Sequence, residues 1–359
     1  MDLLYTPSAT SADQICQQLS LTVTQLGATA EFGRDLSACI RRIYIVSAGA
    51  GLAIGRSLKH YSYELSSKLA YDVFASATFM DILMENSSIA DDPSTLIVLT
   101  SKSGQTPETV AVAKFLKDRV CNTVILTMFR SSSLASFQHK AIFIGQTIQF
   151  FHATYMLMMS LFGGIWEARE NWKHLPALLS SLANLPNKLL LAAEKGATMA
   201  DLFAIKFNEK HPLYFVASGC ALMAAHAFGL CILQERFGFN INIIDAADFF
   251  HSAVETVRPQ TDGRYILIIP DDGTRNQMLR IKSFFDEVSV SSGAGPVVID
   301  TREFEMSGIE PQIEKFLGPI VTEAFFRPWA PSLAKVAGKT MNDPLLHMGR
   351  FQYYATSTA

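Results

Sequence analysis

The chain has 359 residues, room for about two domains at roughly 150 residues each, and 30 Lys plus Arg against 33 Asp plus Glu give a formal net charge of -3. That balance supplies no basic field to collect nucleic acid, and 49% hydrophobic against 18% charged residues excludes a disordered chain. Five cysteines, an odd number with no C-x-x-C pair, exclude a disulfide framework and make reduced thiols in the cytoplasm the expectation.

Residues 1–35 are expected to form an N-terminal helical segment. Residues 1–20 contain Asp2 and Asp13 and no basic stretch leading into an apolar one, so no signal peptide is expected. A first α/β domain is expected over 36–175. Its strands are the apolar runs at 43–46, 73–75, 95–100 (TLIVLT) and 122–127 (NTVILT), each followed by small or polar residues and a helical stretch. The segment 148–166 has no Asp, Glu, Lys or Arg. It also holds Gln149, His152, Thr154, Ser160, Gly163 and Gly164 without flanking basic asymmetry, which predicts a buried helix rather than a membrane span. A Leu-rich connecting helix is expected over 176–199, a second domain over 200–340 and a tail over 341–359.

The second domain repeats the first at a spacing of 170 residues. Residues 43–52 fall on 213–222, and 73–79 on 243–249; further on, 95–100 is answered by 265–269 and 122–127 by 296–301. Continuous apolar strands alternating with helices predict, in each half, a doubly wound parallel sheet covered by helices on both faces, a three-layer sandwich of the flavodoxin or Rossmann kind. Ligands in such sheets sit beyond the carboxyl ends of the strands.

Two loops of the first half lie there. The turn at 47–51, with Gly49 and Ala50, lets backbone amides approach a ligand closely, or simply packs. In Ser101-Lys102-Ser103-Gly104-Gln105-Thr106-Pro107, Thr106 is a candidate N-cap and Pro107 a first helical residue. The hydroxyls of Ser101, Ser103 and Thr106, the charge of Lys102 and the start of a helix make a cradle for a small tetrahedral anion; a capped helix after a polar turn fits equally. In the second half Glu235 closes an apolar helix predicted over 222–235, and His251 follows sixteen residues later. Carboxylate and imidazole suit proton transfer; a Glu235–Arg236 pair and a half-buried loop histidine are the plain alternative. No metal-ligand spacing is present.

These motifs resemble the tandem sugar isomerase (SIS) domain family over roughly 43–353, above all its deglycases of 6-phosphorylated fructosamines, and more distantly the isomerase half of glucosamine-6-phosphate synthase. The family's phosphate loop, S-x-[SK]-G-x-T followed by P-E-T, is matched by residues 101–109. Its catalytic Glu falls on Glu235, and its E-F-x-H-G-P-x-E loop falls on 248–255 with the His at His251. A deglycase-like tail is matched by Met348-Gly349-Arg350-Phe351-Gln352-Tyr353, with Arg350 where the synthase-type isomerase carries a Lys. The resemblance implies two tandem SIS domains and an enzyme that cleaves a 6-phosphorylated fructosamine to an aldose 6-phosphate and an amine without a cofactor. Ser101, Lys102, Ser103 and Thr106 would hold phosphate, Gly49, Ala50 and Arg350 would contact the sugar, and Glu235 and His251 would carry protons. It also implies a homodimer or larger assembly with sites at the subunit interface. A phosphosugar aldose-ketose isomerase and a non-catalytic sugar-phosphate sensor are the alternatives; no nucleic acid and no membrane is expected as partner.

Overall fold

The computed structural model describes residues 12–65, 68–137, 139–207, 211–257, 264–288, 295–343 and 345–346. The described chain divides into two compact units, one formed by Asp13–Asn184 and the other by residues 185–346.

In the first unit the helix α1 (Ala12–Leu36) precedes β1 (Arg42–Ser47), α2 (Ala50–Leu65), β2 (Ala70–Ala75), α3 (Ser76–Glu85), β3 (Thr95–Thr100), α4 (Pro107–Leu116), β4 (Asn122–Thr127), β5 (Lys140–Phe143) and α5 (Phe150–Glu170). The five strands are all parallel in the order β2-β1-β3-β4-β5, the flavodoxin-like arrangement. Every residue of β3 is buried, as the unbroken apolar run requires of a strand covered on both faces. Below the sheet, Val46, Phe79, Leu83, Ile97, Leu99, Val112, Leu116 and Ile125 form one core. The segment with no acidic or basic residue is helix α5, buried from Phe151 to Trp166. Among the described residues no helix is long and apolar enough to cross a membrane.

Close approach of α1 to α5 depends on glycine. A Cβ on Gly33 would collide with the carbonyl of Leu161, and one on Gly164 with the carbonyl of Ala30. The Ser160 hydroxyl donates to the Leu26 carbonyl at the same contact.

The helix α6 (Leu175–Lys206) runs across the division between the units. The second unit continues with β6 (Leu213–Ala217), α7 (Leu222–Ala225), a π-helix (His226–Gln234), α8 (Glu235–Phe237), β7 (Ile241–Asp245), α9 (Ala246–Phe249), β8 (Tyr265–Ile269), α10 (Arg275–Val288), β9 (Val297–Asp300), α11 (Pro311–Phe326) and α12 (Trp329–Val336). Among the described residues its parallel strands follow the order β7-β6-β8-β9, which matches β2-β1-β3-β4 of the first unit. The helix expected over 222–235 is therefore α-helical only at its ends; nine residues in the middle take the wider π form.

At the carboxyl end of this sheet Arg275, the first residue of α10, grips Asp300, the last of β9, with two bonds at 2.8 and 2.5 Å. Both side chains are mostly buried, 15% and 17% exposed. Burial alone would raise the Asp300 carboxyl, but the bonds from the Arg275 guanidinium and the Arg302 amide outweigh it and hold it below its ordinary value.

Gly33→Ala should destabilise the fold by about 1–3 kcal/mol through overpacking, whereas Gly27→Ala, on the same helix with nothing within 4 Å, should stabilise it by about 0.5–1 kcal/mol. Urea titration of both reads the difference; equal shifts would contradict the tight α1–α5 contact. Because the Asp300 carboxyl is depressed in the folded chain, its stabilisation is present above the unfolded value of about 4 and lost as pH falls below it. Asp300→Asn should thus cost about 1–3 kcal/mol at pH 7 and progressively less below pH 4; a cost independent of pH would contradict it.

Candidate functional site

Strand order reverses between β1 and β3, so the crevice of the first unit lies where the turn after β1 meets the loop after β3. The parallel register sets Ser47 opposite Thr100. Their hydroxyls bond at 2.7 Å, and Ser47 Oγ also donates to the Thr100 carbonyl at 3.0 Å. Gly49 turns with φ 56, and α2 starts at Ala50. A Cβ on Gly51 would strike the Ser47 and Thr100 hydroxyls, so small residues here bring the start of α2 against the end of β3.

The loop after β3 is held from inside. Ser101, 7% exposed, bonds its hydroxyl to Thr106 Oγ1 at 2.9 Å and accepts the Gly104 amide at 3.1 Å. Ser103 Oγ accepts the Gln105 amide at 3.1 Å. The Lys102 carbonyl takes the Met128 amide at 3.2 Å and the Thr127 hydroxyl at 3.3 Å, tying the loop to the end of β4. Gly104 has φ 63, and a Cβ there would meet Ser132 and Thr127. Thr106 is the N-cap residue of α4 and Pro107 its first helical residue, as the sequence predicts, but the Thr106 side chain makes no capping bond to the helix. Its hydroxyl turns to Ser101 instead, which leaves the first-turn amides of α4 to whatever anion enters the loop. Ser101, Lys102, Ser103, Thr106, Gly49 and Ala50 thus gather at one crevice. Ser47, Thr100 and Ser132 support it and carry no motif of their own; only the strand register shows their part.

Glu235 and His251 lie in the second unit. Glu235 is exposed at the far end of the helical run that follows β6, and its amide bonds back to the Leu230 carbonyl in π-helical fashion. Gly238, with φ 67, ends the run, and its amide bonds to the Gln234 carbonyl at 2.8 Å. Three residues later, at Ile241, β7 begins. His251, also exposed, follows α9 beyond the other end of β7, its amide on the Asp248 carbonyl at 3.0 Å. The two residues therefore flank opposite ends of β7, a five-residue strand that spans about 16 Å. Within one unit the proton-transfer pair is not brought together. Arg236 donates to the Met341 carbonyl.

Beneath Glu235 lies Cys231, whose thiol is pushed up to about 12, first by burial and then by the charges of Glu235 and Glu323. Glu323, on α11, is fully buried and accepts the Arg327 Nε at 2.6 Å. This grouping of the buried Glu323 with the half-buried Cys231 and Arg327 is not legible as a motif. Arg350, with the rest of the tail segment 347–353, lies outside the described residues. Among the described residues no group of three or more His, Cys, Asp or Glu is arranged to hold a metal ion.

Comparison with known proteins gives a consistent picture. The SIS domain model matches residues 37–163. The agropine synthesis conjugase of Rhizobium rhizogenes is 55% identical over 354 residues, covering 99% of each chain. The fructosamine deglycase of Bacillus subtilis is 24% identical over 330 residues, covering 89% of this chain and 96% of its own. A crystal structure from Bacillus subtilis described as a phosphosugar isomerase superposes with a TM-score of 0.78 at 22% identity, covering 90% of this chain and 97% of that one. The chain belongs to the SIS domain family.

Proposed function

We propose that this protein joins the primary amine of an amino acid to an aldose 6-phosphate, and releases it again, by moving one proton between C1 and C2 of their adduct. In the joining direction the amine condenses with the C1 aldehyde, expelling water and leaving an imine. Protonation of the imine nitrogen and loss of the C2 proton give an enaminol, and gain of a proton at C1 with loss of the C2 hydroxyl proton gives a 1-amino-1-deoxyketose. The reverse sequence, ended by hydrolysis of the imine, is the deglycation of a fructosamine 6-phosphate. Protons and one water balance the scheme in either direction.

The observation that carries this reading is the pair of curated relatives. One is named a conjugase and the other a fructosamine deglycase, and both match nearly end to end. Making and breaking an amine–ketose link are two directions of one catalysed equilibrium, and the higher identity to the conjugase favours the joining direction here. In this scheme Ser101, Lys102, Ser103, Thr106 and the amides of α4 hold the phosphate. Gly49 and Ala50 admit the sugar closely, and Arg350 contacts it. Glu235 takes the proton from C2 and returns it to C1, and His251 serves ring opening.

The separation of Glu235 and His251 at opposite ends of β7 favours a homodimer in which a site draws Glu235 from one chain and His251 from its partner. An aldose-ketose isomerase would use the same phosphate loop and carboxylate without an amine, and the fold likeness to a phosphosugar isomerase keeps that reaction as the second reading.

The test is a product assay with an aldose 6-phosphate and a panel of amino acids, and in reverse with phosphorylated fructosamines. Wild type should form and cleave one adduct, and Glu235→Gln should be slower by about 10²–10⁴-fold. Interconversion of aldose and ketose phosphates with no reaction of any amine would make the protein an isomerase. Mixing Glu235→Gln with His251→Asn chains should restore about a quarter of wild-type activity if the pair is shared between chains of a dimer; no restoration after verified exchange would contradict the shared site.

A further inference from the structure

The second unit repeats the switch-point construction of the first with other side chains along the loop: Ile269, Pro270, Asp271 and Asp272 stand where the first unit has Ser101, Lys102, Ser103 and Gly104. Gly219, φ 54, answers Gly49, φ 56, at the 170-residue spacing. Across the next strand the spacing shortens by two: Tyr44 pairs with Ile97 while Tyr214 pairs with Tyr265, so Tyr265 answers Ile97. The helix starts agree, Arg275 answering Pro107. On this alignment Cys220 stands at the place of Ala50, Thr274 at that of Thr106, and Asp272 at that of Gly104.

The carboxylate of Asp272 points into the cradle these positions form. Its Oδ2 accepts the amide of Cys220 at 3.4 Å and the Cys220 thiol at 3.0 Å. Its Oδ1 accepts the amide of Thr274 at 2.8 Å and the Thr274 hydroxyl at 2.5 Å. Donors from two separate elements, the turn after β6 and the loop after β8, converge on one anion. In the first unit the corresponding donors are the amides of Ala50 and Thr106 and the Thr106 hydroxyl. Gly104 offers no side chain to meet them, and its φ of 63 with Ser132 and Thr127 against it allows none.

We infer that Asp272 is an internal anion: its carboxylate occupies the oxyanion place of the second unit, so a phosphate group binds at the first unit alone, and taking the carboxylate away opens a second oxyanion site. The part concerning the first unit rests on the reading given under Proposed function; the part concerning the second stands on its own geometry. A carboxylate tethered two residues from the cradle is present at an effective concentration of millimolar or more, so it holds the place against free phosphate. Charge-assisted bonds from amide and hydroxyl donors are what a phosphate oxygen would receive there.

The experiment is calorimetric and thermal-shift titration of the full chain with inorganic phosphate. Wild type should bind one phosphate per chain, Thr106→Val none, Asp272→Gly two, and the double variant Asp272→Gly with Thr106→Val one. Asp272→Asn, whose amide still fills the cradle, should keep the wild-type count of one. Should Asp272→Gly fail to fold, Asp272→Ser serves with the same expectation. Two phosphates bound by wild type, or a folded double variant whose melting temperature is indifferent to phosphate, overturns the inference. If wild type binds none while Asp272→Gly binds one, the phosphate loop proposed for the first unit fails and the internal anion of the second stands.

Discussion

The parallel pairing that sets Ser47 opposite Thr100 governs the candidate site, because it decides which two loops open at the same crevice. With the strand order reversing between β1 and β3, the helices that follow them leave on opposite faces of the sheet, and the ground between their first turns is unfilled by covalent necessity. Backbone amides are then the cheapest donors at hand. Glycine at positive φ at 49 and 104 turns the chain at low steric cost, and buried hydroxyls at Ser47, Thr100 and Ser101 hold the two loops to each other rather than to solvent. Polar groups in this place are satisfied internally in part, and the rest face whatever enters. An oxyanion meets that demand, and a sugar phosphate brings one.

Two copies of this device in one chain have diverged in charge and, at one place, in backbone, since Gly104 has φ 63 and Asp272 has no positive φ. The first presents Lys102, hydroxyls and uncapped amides; the second presents Asp271, Asp272 and a closed set of hydrogen bonds. Elsewhere in the second unit the exposed Glu235 stands by the half-buried Cys231, the buried Glu323 and the half-buried Arg327. The π-helix that leads to Glu235 is part of this arrangement. A π stretch turns fewer degrees per residue than the α form, so it sets a different azimuth for every residue after it, and such stretches cluster at functional positions.

Much of this was legible from the residues. Apolar runs at TLIVLT and NTVILT sit at the bounds the structure has, because a strand buried on both faces needs little else to specify it. The start of α4 at Pro107 follows from proline's fixed φ. The fifth strand, β5, escaped because it is four residues long, at the sheet edge, with one buried residue. The π-helix is invisible in a segment that is apolar nearly all round, where no stripe fixes a period. The separation of Glu235 from His251 needs topology: sixteen residues in sequence carry the chain out of a helix end, along the whole of β7 and through α9. Asp272 was hidden by the two-residue shortening between β7 and β8, which sequence similarity this low does not register.

In the proposed reaction Glu235 moves a proton between C1 and C2 of an amine–sugar adduct. The most direct measurement of that transfer follows the label of a C2-deuterated aldose 6-phosphate by NMR during conjugation with the accepted amino acid. The account predicts that wild type removes deuterium from C2, delivering it to C1 or to solvent, while Glu235→Gln leaves it in place over the same time. Product that keeps its deuterium at C2, or equal loss of label from the Glu235→Gln variant, would contradict it.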